Sequence, residues 1–132
     1  MIEMLPKVGL VACNSGASNT GTITGKVAME IVKETNGEVG VCSLPALTNK
    51  IPRQTALVKR IPHLIVIDGC HNECTKKILT NLHIDYDVYI NLENDFQIKK
   101  KGPFTSLEFS DEDVEKIKKY VLGKIKEILS ND

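Results

Sequence analysis

Short apolar runs alternate with helical patterns along most of this chain, and this alternation is what most limits its fold. Four runs are predicted to be strands: residues 8–12, 38–42, 63–67 and 87–92. Strands that are joined through helices must run parallel, and right-handed crossovers place those helices on both faces of the sheet. We therefore predict an α/β fold of three α/β/α layers, Rossmann-like or flavodoxin-like, with a four-stranded parallel sheet in the order 2-1-3-4.

The intervening segments supply the helices and loops of this prediction. Apolar residues at helical spacing predict helices at residues 22–35, 52–60 and 72–82 and from about 110 onward, whereas residues 43–47 are predicted to be a loop. Residues 93–109 are predicted to be a long loop, and loops of that length often carry function or hidden structure. Five apolar side chains could anchor it to the body: Phe96, Ile98, Phe104, Leu107 and Phe109. No repeat or linker interrupts the pattern, so residues 1–132 are predicted to form a single domain.

Charge and hydropathy exclude several classes of partner. The 17 basic and 17 acidic residues balance, and nucleic-acid binding would favour a clear basic excess. We see no signal peptide in the opening residues and no apolar run long enough to cross a bilayer, so we expect a cytoplasmic protein that binds neither nucleic acid nor membrane. Cysteines are kept reduced in the cytoplasm, so they indicate metal ligands, reactive thiols or small core residues before disulfides.

All four cysteines follow predicted strands. Cys13 and Cys42 end strands one and two, Cys70 follows strand three by two residues, and Cys74 comes four residues later. Neighbouring strands lie ~4.8 Å apart, and sites in such sheets form at the carboxyl ends beside the topological switch, here between strands one and three. We therefore predict that all four cysteines bind zinc, or an iron–sulfur cluster, since both use thiolates. Ligation by only three would leave an open position, and buried cysteines without a metal are the simpler alternative.

The same residues allow a second function, that of a thiol-dependent enzyme. Cys13 or Cys70 would be the nucleophile or redox centre. Cys70 is expected at or just before a helix start, where free N–H groups and the helix dipole stabilise a thiolate. Cys13 enters a loop of small polar residues that could bind an anion, although an ordinary tight turn explains that loop equally well. The candidate anion-binding residues are Ser15, Gly16, Ser18, Asn19 and Thr20.

Polar neighbours of the cysteines have two interpretations each. His71 could be a ligand or proton shuttle, but an exposed turn residue is the more ordinary role. Asp68 could accept bonds from backbone N–H groups of the next turn, or orient the cysteines. The run Lys99-Lys100-Lys101 is expected to be a solvated loop.

Two motifs together resemble a known family. The run Cys13-Asn14-Ser15-Gly16-Ala17-Ser18-Asn19-Thr20-Gly21 with Asp68-Gly69-Cys70-x-x-x-Cys74 resembles the DGC domain family, which is named for its Asp-Gly-Cys triplet. The resemblance spans roughly residues 8–92 and implies zinc binding by a set of four cysteines, into which Cys42 also falls. His71 departs from the family pattern, which commonly has proline there.

A weaker resemblance concerns the Cys13 loop alone. A cysteine after strand one, followed by small residues, also looks like the phosphocysteine loop of sugar phosphotransferase IIB domains, and like the loops of low-molecular-weight tyrosine phosphatases and arsenate reductases. The last two need an arginine six positions after the cysteine to grip the oxyanion, and this chain has Asn19 there. A IIB-like phosphocysteine carrier stays open as an alternative, although it would leave the other three cysteines unexplained.

Overall fold

A four-stranded parallel sheet organises the computed structural model, which describes residues 4–132. Its strands are β1 Val8–Ala12, β2 Val39–Val41, β3 His63–Asp68 and β4 Val88–Asn91. The order is β2-β1-β3-β4, with Val8 level with both Val39 and His63. The predicted α/β fold and strand order are confirmed. The switch between β1 and β3 therefore lies at the carboxyl ends that carry Cys13 and Cys70.

Six helices complete the described part of the chain: α1 Asn19–Glu34, α2 Leu44–Thr48, α3 Pro52–Arg60, α4 Cys74–Asn81, α5 Leu92–Phe96 and α6 Asp111–Ser130. Two hydrophobic clusters separate the layers. One joins the sheet to α1 and α6, and the other joins it to α2, α3 and α4. Successive residues of β1 alternate between them, since Leu10 and Ala12 belong to the first and Val11 to the second. Burial on both faces explains why the strands are apolar at consecutive positions.

Helix caps account for the boundaries that the sequence placed differently. α1 begins at Asn19, earlier than predicted, because the Ser18 side chain accepts a bond from Gly21 N–H and caps the helix. The predicted loop at residues 43–47 is wrong, since Ser43 caps α2 and Pro45 fits its first turn. The first residues of the long predicted loop belong to the short helix α5, which Asn91 caps. α1 ends close to the predicted residue 35, and the two residues that follow, Asn36 and Gly37, both have positive φ, 49° and 88°.

Residues 97–110 cross the carboxyl edge of the sheet without forming a helix or strand. Phe96, Ile98 and Phe109 pack on the core as expected. The prediction is wrong for Phe104 and Leu107, which are 93% and 83% exposed. The segment does not need these side chains as anchors because Phe104 N–H donates to the Ala17 carbonyl at 2.7 Å. No helix within residues 4–132 is long and apolar enough to span a membrane.

Candidate functional site

The Cys13 thiol is held between two loops at the switch point. Cys13 N–H donates to the Ile67 carbonyl at 2.9 Å, which carries the β1–β3 pairing one residue further. The Cys13 sulfur accepts bonds from the N–H groups of Ser15 and Gly69. Burial raises the pKa of Cys13, these two bonds oppose the rise, and the nearby acidic groups of Asp68 and Cys74 add to it.

Glycines allow the Cys13 loop to lie directly on the first turns of α1. A Cβ at Gly21 would be 1.7 Å from the Ser15 carbonyl oxygen, and one at Gly25 would be 1.9 Å from Asn14 Oδ1. Asn14 has φ 49°, and its N–H donates to Thr24 Oγ1 at 2.8 Å. The close approach at Gly21 fixes the position of Ser15, whose N–H reaches the Cys13 sulfur.

Asp68 holds the Asp-Gly-Cys turn against the start of α4. Its carboxylate is 1% exposed and accepts bonds from the N–H groups of Thr75 at 2.9 Å and Lys76 at 3.1 Å. It also accepts a bond of 3.0 Å from Tyr89 Oη. The predicted bonding of Asp68 to backbone N–H groups is thus confirmed. These are the N–H groups that a helix start leaves without an intrahelical partner.

The helix beyond this turn begins later than predicted. α4 starts at Cys74, and Glu73 before it has φ 54°, so Cys70 is not helical and does not share a helix face with Cys74. The expectation that a helix N-terminus adjoins Cys70 is wrong as well. The free N–H groups at the start of α4, those of Thr75 and Lys76, donate to Asp68 instead. Gly69 completes the turn because a Cβ there would be 3.0 Å from Thr20 Oγ1.

Two polar residues of β4 support the turn and were not identified from the sequence. Asn91 Nδ2 donates to the Cys70 carbonyl at 2.9 Å and to Tyr89 Oη at 3.1 Å. Burial raises the pKa of Tyr89, and the neighbouring charge of Asp68 adds to the rise, so the phenol stays protonated and can donate. A tyrosine and an asparagine on a partly buried strand are the signal that could have indicated this role.

Lys100 lies beside Cys70, with its Nζ 3.8 Å from the sulfur. Glu93 positions this lysine, because Glu93 Oε2 accepts from Lys100 N–H at 3.0 Å and Oε1 accepts from His71 N–H at 2.8 Å. Burial acts to raise the pKa of Glu93, but the bonds from Lys100 and His71 outweigh it and lower that pKa. His71 is exposed in a turn, as expected, with Nδ1 2.8 Å from Glu93 Oε1. The expectation that the run Lys99-Lys100-Lys101 is solvated is therefore wrong for Lys100, which is partly buried beside Cys70.

Asn19 ties the lysine-bearing segment to the Cys13 loop. It is 2% exposed, and its Nδ2 donates to the Lys99 carbonyl at 2.9 Å while its Oδ1 accepts from Lys101 N–H at 2.9 Å. Its own N–H donates to Thr105 Oγ1 at 3.1 Å. Ser106 Oγ additionally donates to the Gly16 carbonyl. We refer to residues 99–106, which these bonds hold across the site, as the strap.

Cys42 lies apart from the other three cysteines. Its sulfur is 3.1 Å from the position of a Cβ on Gly9, and it packs on the second hydrophobic cluster. Gly9 precedes Cys13 by four residues on β1, a rise of about 13 Å. Sulfurs that share a zinc ion lie about 4 Å apart. Burial also raises the pKa of Cys42 to about 11. The structure therefore does not bring all four thiols together.

Comparison with protein families decides the affiliation. The model of the DGC domain matches residues 9–121. The chain belongs to the DGC domain family. The match includes the strap and most of α6, so it reaches well beyond the two cysteine motifs. No curated protein and no solved structure matches this chain.

The DGC domain carries no ready-made metal centre within residues 4–132, since no three Cys, His, Asp or Glu side chains there are grouped to hold an ion. The chemistry of three thiols nevertheless suits a soft divalent metal. Cys13 and Cys70 are partly buried, and Cys74 is exposed. Cys70 belongs to the Asp-Gly-Cys turn, and the Cys13 sulfur accepts a bond from Gly69 N–H of the same turn. The three thiols therefore suit such a metal in their chemistry but are not grouped around one point within residues 4–132, so metal ligation by Cys13, Cys70 and Cys74 stays a prediction.

The predicted anion-binding loop of the DGC domain is largely engaged with the protein itself. Ser18 caps α1 and lies 3.4 Å from Thr20 Oγ1, and Asn19 binds the strap. All three are buried, while Ser15 and Gly16 are exposed. Anion binding by this loop stays a prediction, and the anion would have to bind to the two exposed residues, Ser15 and Gly16.

Proposed function

We propose that this DGC domain binds a thiophilic metal ion, zinc, through Cys13, Cys70 and Cys74. The observation that carries the proposal is the position of Cys13, whose N–H donates to the Ile67 carbonyl at 2.9 Å on the strand that leads into the Asp68-Gly69-Cys70 turn. The cysteines of two separate loops thereby leave the sheet at the same edge, beside the switch point, which supports a shared site there.

The electrostatics of Cys13 favour a metal over a free thiolate. Its raised pKa means that the uncomplexed sulfur holds its proton near neutral pH. A divalent cation would replace that proton and offset the negative charges of Asp68 and of the thiolates that bind it. The N–H bonds from Ser15 and Gly69 would remain and orient the sulfur. Three ligands leave a fourth zinc position open, which is typical of catalytic or transfer sites.

Metal binding is tested with protein that is purified under reducing conditions, equilibrated with zinc and dialysed. We expect one zinc per chain in the wild type and in the control Cys42→Ala, and at least ~10-fold weaker binding in Cys13→Ala and Cys74→Ala. Cobalt substitution should add sulfur-to-metal charge-transfer absorption that survives in Cys42→Ala. Less than about 0.1 zinc per chain, or equal losses in Cys42→Ala and Cys13→Ala, would contradict the proposal.

A second candidate function rests on Cys70 and Lys100. An ammonium group 3.8 Å from a sulfur stabilises negative charge on it, as a thiol nucleophile requires. Cys70 suits this role better than Cys13, because a phosphate or thiolate at Cys13 would meet the negative charge of Asp68. The phosphocysteine alternative is correspondingly less favoured than Cys70 chemistry.

The Cys70–Lys100 pair makes its own prediction. With metal removed by a chelator, Lys100→Met should slow alkylation of Cys70 by iodoacetamide at pH 7 by about three- to tenfold. Lys101→Met is the matched control, since Lys101 is the exposed neighbour on the same strap, and it should leave the rate unchanged. Peptide mass spectrometry measures the rate at each cysteine. Equal rates in the two variants would remove the basis for an activated Cys70.

A further inference from the structure

A cavity of about 590 Å³ opens at the carboxyl ends of β1 and β2, on the far side of Cys13 from β3. Cys13 and Cys42 both line it, and aliphatic wall is provided by Val41, Leu44 and Pro45. Its volume falls in the range of about 300–1,000 Å³ that is usual for small-molecule sites. The metal proposal uses Cys13 but leaves this space and Cys42 without a role.

The lining excludes a charged ligand. Among the residues that the structure describes, those around the cavity include no Lys, Arg, Asp, Glu or His. An ion entering it would lose hydration without gaining a countercharge, which is costly. The polar groups are those of Asn14, Ser43, Thr48 and Asn49, amides and hydroxyls that exchange hydrogen bonds with neutral groups.

The cavity depends on α2, the element that the sequence predicted to be a loop. Ser43 Oγ caps this helix by accepting from Ala46 N–H at 3.3 Å, and Thr48 Oγ1 closes it by donating to the Leu44 carbonyl at 2.9 Å. Leu47 is buried on the second cluster and fixes the helix to the sheet. The wall opposite Cys13 is therefore a capped, anchored element.

We propose that this cavity binds a small, neutral organic molecule with a largely apolar body and one or two carbonyl, hydroxyl or amide groups, and that the bound molecule lies against the Cys13 thiol. The cavity is formed with the cysteines free, so this inference does not rest on metal binding. If Cys13 also ligates zinc, the organic ligand and the metal are neighbours that share one sulfur.

The test uses N-cyclohexylsuccinimide, a neutral and unreactive probe, with the full chain in the presence of a chelator. The probe should protect Cys13 from iodoacetamide saturably, with half-protection near ~1 mM, as expected for a ligand of this size. An anionic analogue that carries a carboxylate on the cyclohexyl ring should give no protection at ~10 mM. Cys74 serves as the internal reference, since it is exposed and does not line the cavity.

Two threonine variants show whether the protection comes from this cavity. Thr48→Arg should raise the half-protection concentration at least ~5-fold, because it narrows the space and adds a charge. Thr80→Arg is the matched control, an exposed threonine whose Oγ1 also donates to a carbonyl four residues back, at 3.0 Å, and it should leave that concentration unchanged. Absent protection by the neutral probe, equal protection by the anionic one, or an unaffected Thr48→Arg variant would each overturn the inference.

Discussion

Gly21→Ala is expected to destabilise the protein by about 3 kcal/mol, because overpacking against fixed atoms costs energy of that order. The new Cβ would be 1.7 Å from the Ser15 carbonyl oxygen, which is backbone and cannot rotate away as a side chain could. Moving Ser15 would also withdraw its N–H from the Cys13 sulfur. Urea unfolding measures the loss, and faster alkylation of Cys13 in the folded variant would report the displaced loop.

The matched control for Gly21→Ala is Gly123→Ala. Gly123 lies within α6, and a Cβ there would meet no atom within 4 Å. Alanine should therefore stabilise the protein by about 0.5–1 kcal/mol through helix propensity alone. The two replacements of helical glycines by alanine are thus expected to change the stability of the protein in opposite directions. A Gly21→Ala variant within ~0.5 kcal/mol of the wild type would show that the loop does not need this close approach.

Asp68→Ala is the other substitution with a large expected effect, about 3 kcal/mol of lost stability, since bonds to buried charged groups contribute ~1.5–3 kcal/mol. It removes the acceptor of two N–H groups at the start of α4 and of the Tyr89 hydroxyl. Asp68→Asn should lose less, because one oxygen remains. Tyr89→Phe should lose least, about 1 kcal/mol, because the carboxylate keeps both N–H bonds.

Urea unfolding of the three variants tests this order. The ranking Asp68→Ala, Asp68→Asn, Tyr89→Phe follows from the number of bonds to the Asp68 carboxylate that each variant removes, which is three, two and one. If Asp68→Ala cost no more than Tyr89→Phe, the carboxylate would not be what anchors α4 to the Asp-Gly-Cys turn. A circular dichroism spectrum of each variant shows whether the helices remain formed.

The fold could be predicted because its main determinant is local. β1 and β3 are buried on both faces, so they appear in the sequence as unbroken apolar runs, and helical spacing between them forces parallel connections. The short helices α2 and α5 could not be predicted in this way. Each is five residues long and depends on a single cap, from Ser43 and Asn91, rather than on a periodic apolar face.

The candidate site could be predicted only in part. Strand ends bring Cys13 and the Asp-Gly-Cys turn together, because backbone pairing alone decides that. Whether a sulfur reaches the site depends on its direction, and the Cys42 sulfur lies back beside Gly9 instead of at the strand end. The position of Lys100 beside Cys70 depends on Asn19, whose side chain bonds to backbone groups of a distant segment and leaves no periodic pattern.

The bonds of Asn19 to the strap have a consequence for the order in which the protein is made. They join residues that are 80, 82 and 86 positions apart in the chain. During synthesis, β1, β2 and β3 are all made before the strap residues that bind Asn19, and contacts between distant positions form late in folding. A nascent chain that ends before Lys99 therefore has none of the three bonds that join the Cys13 loop to the strap. We expect the ribosome-bound chain to be the form most open to incoming metal and to oxidants.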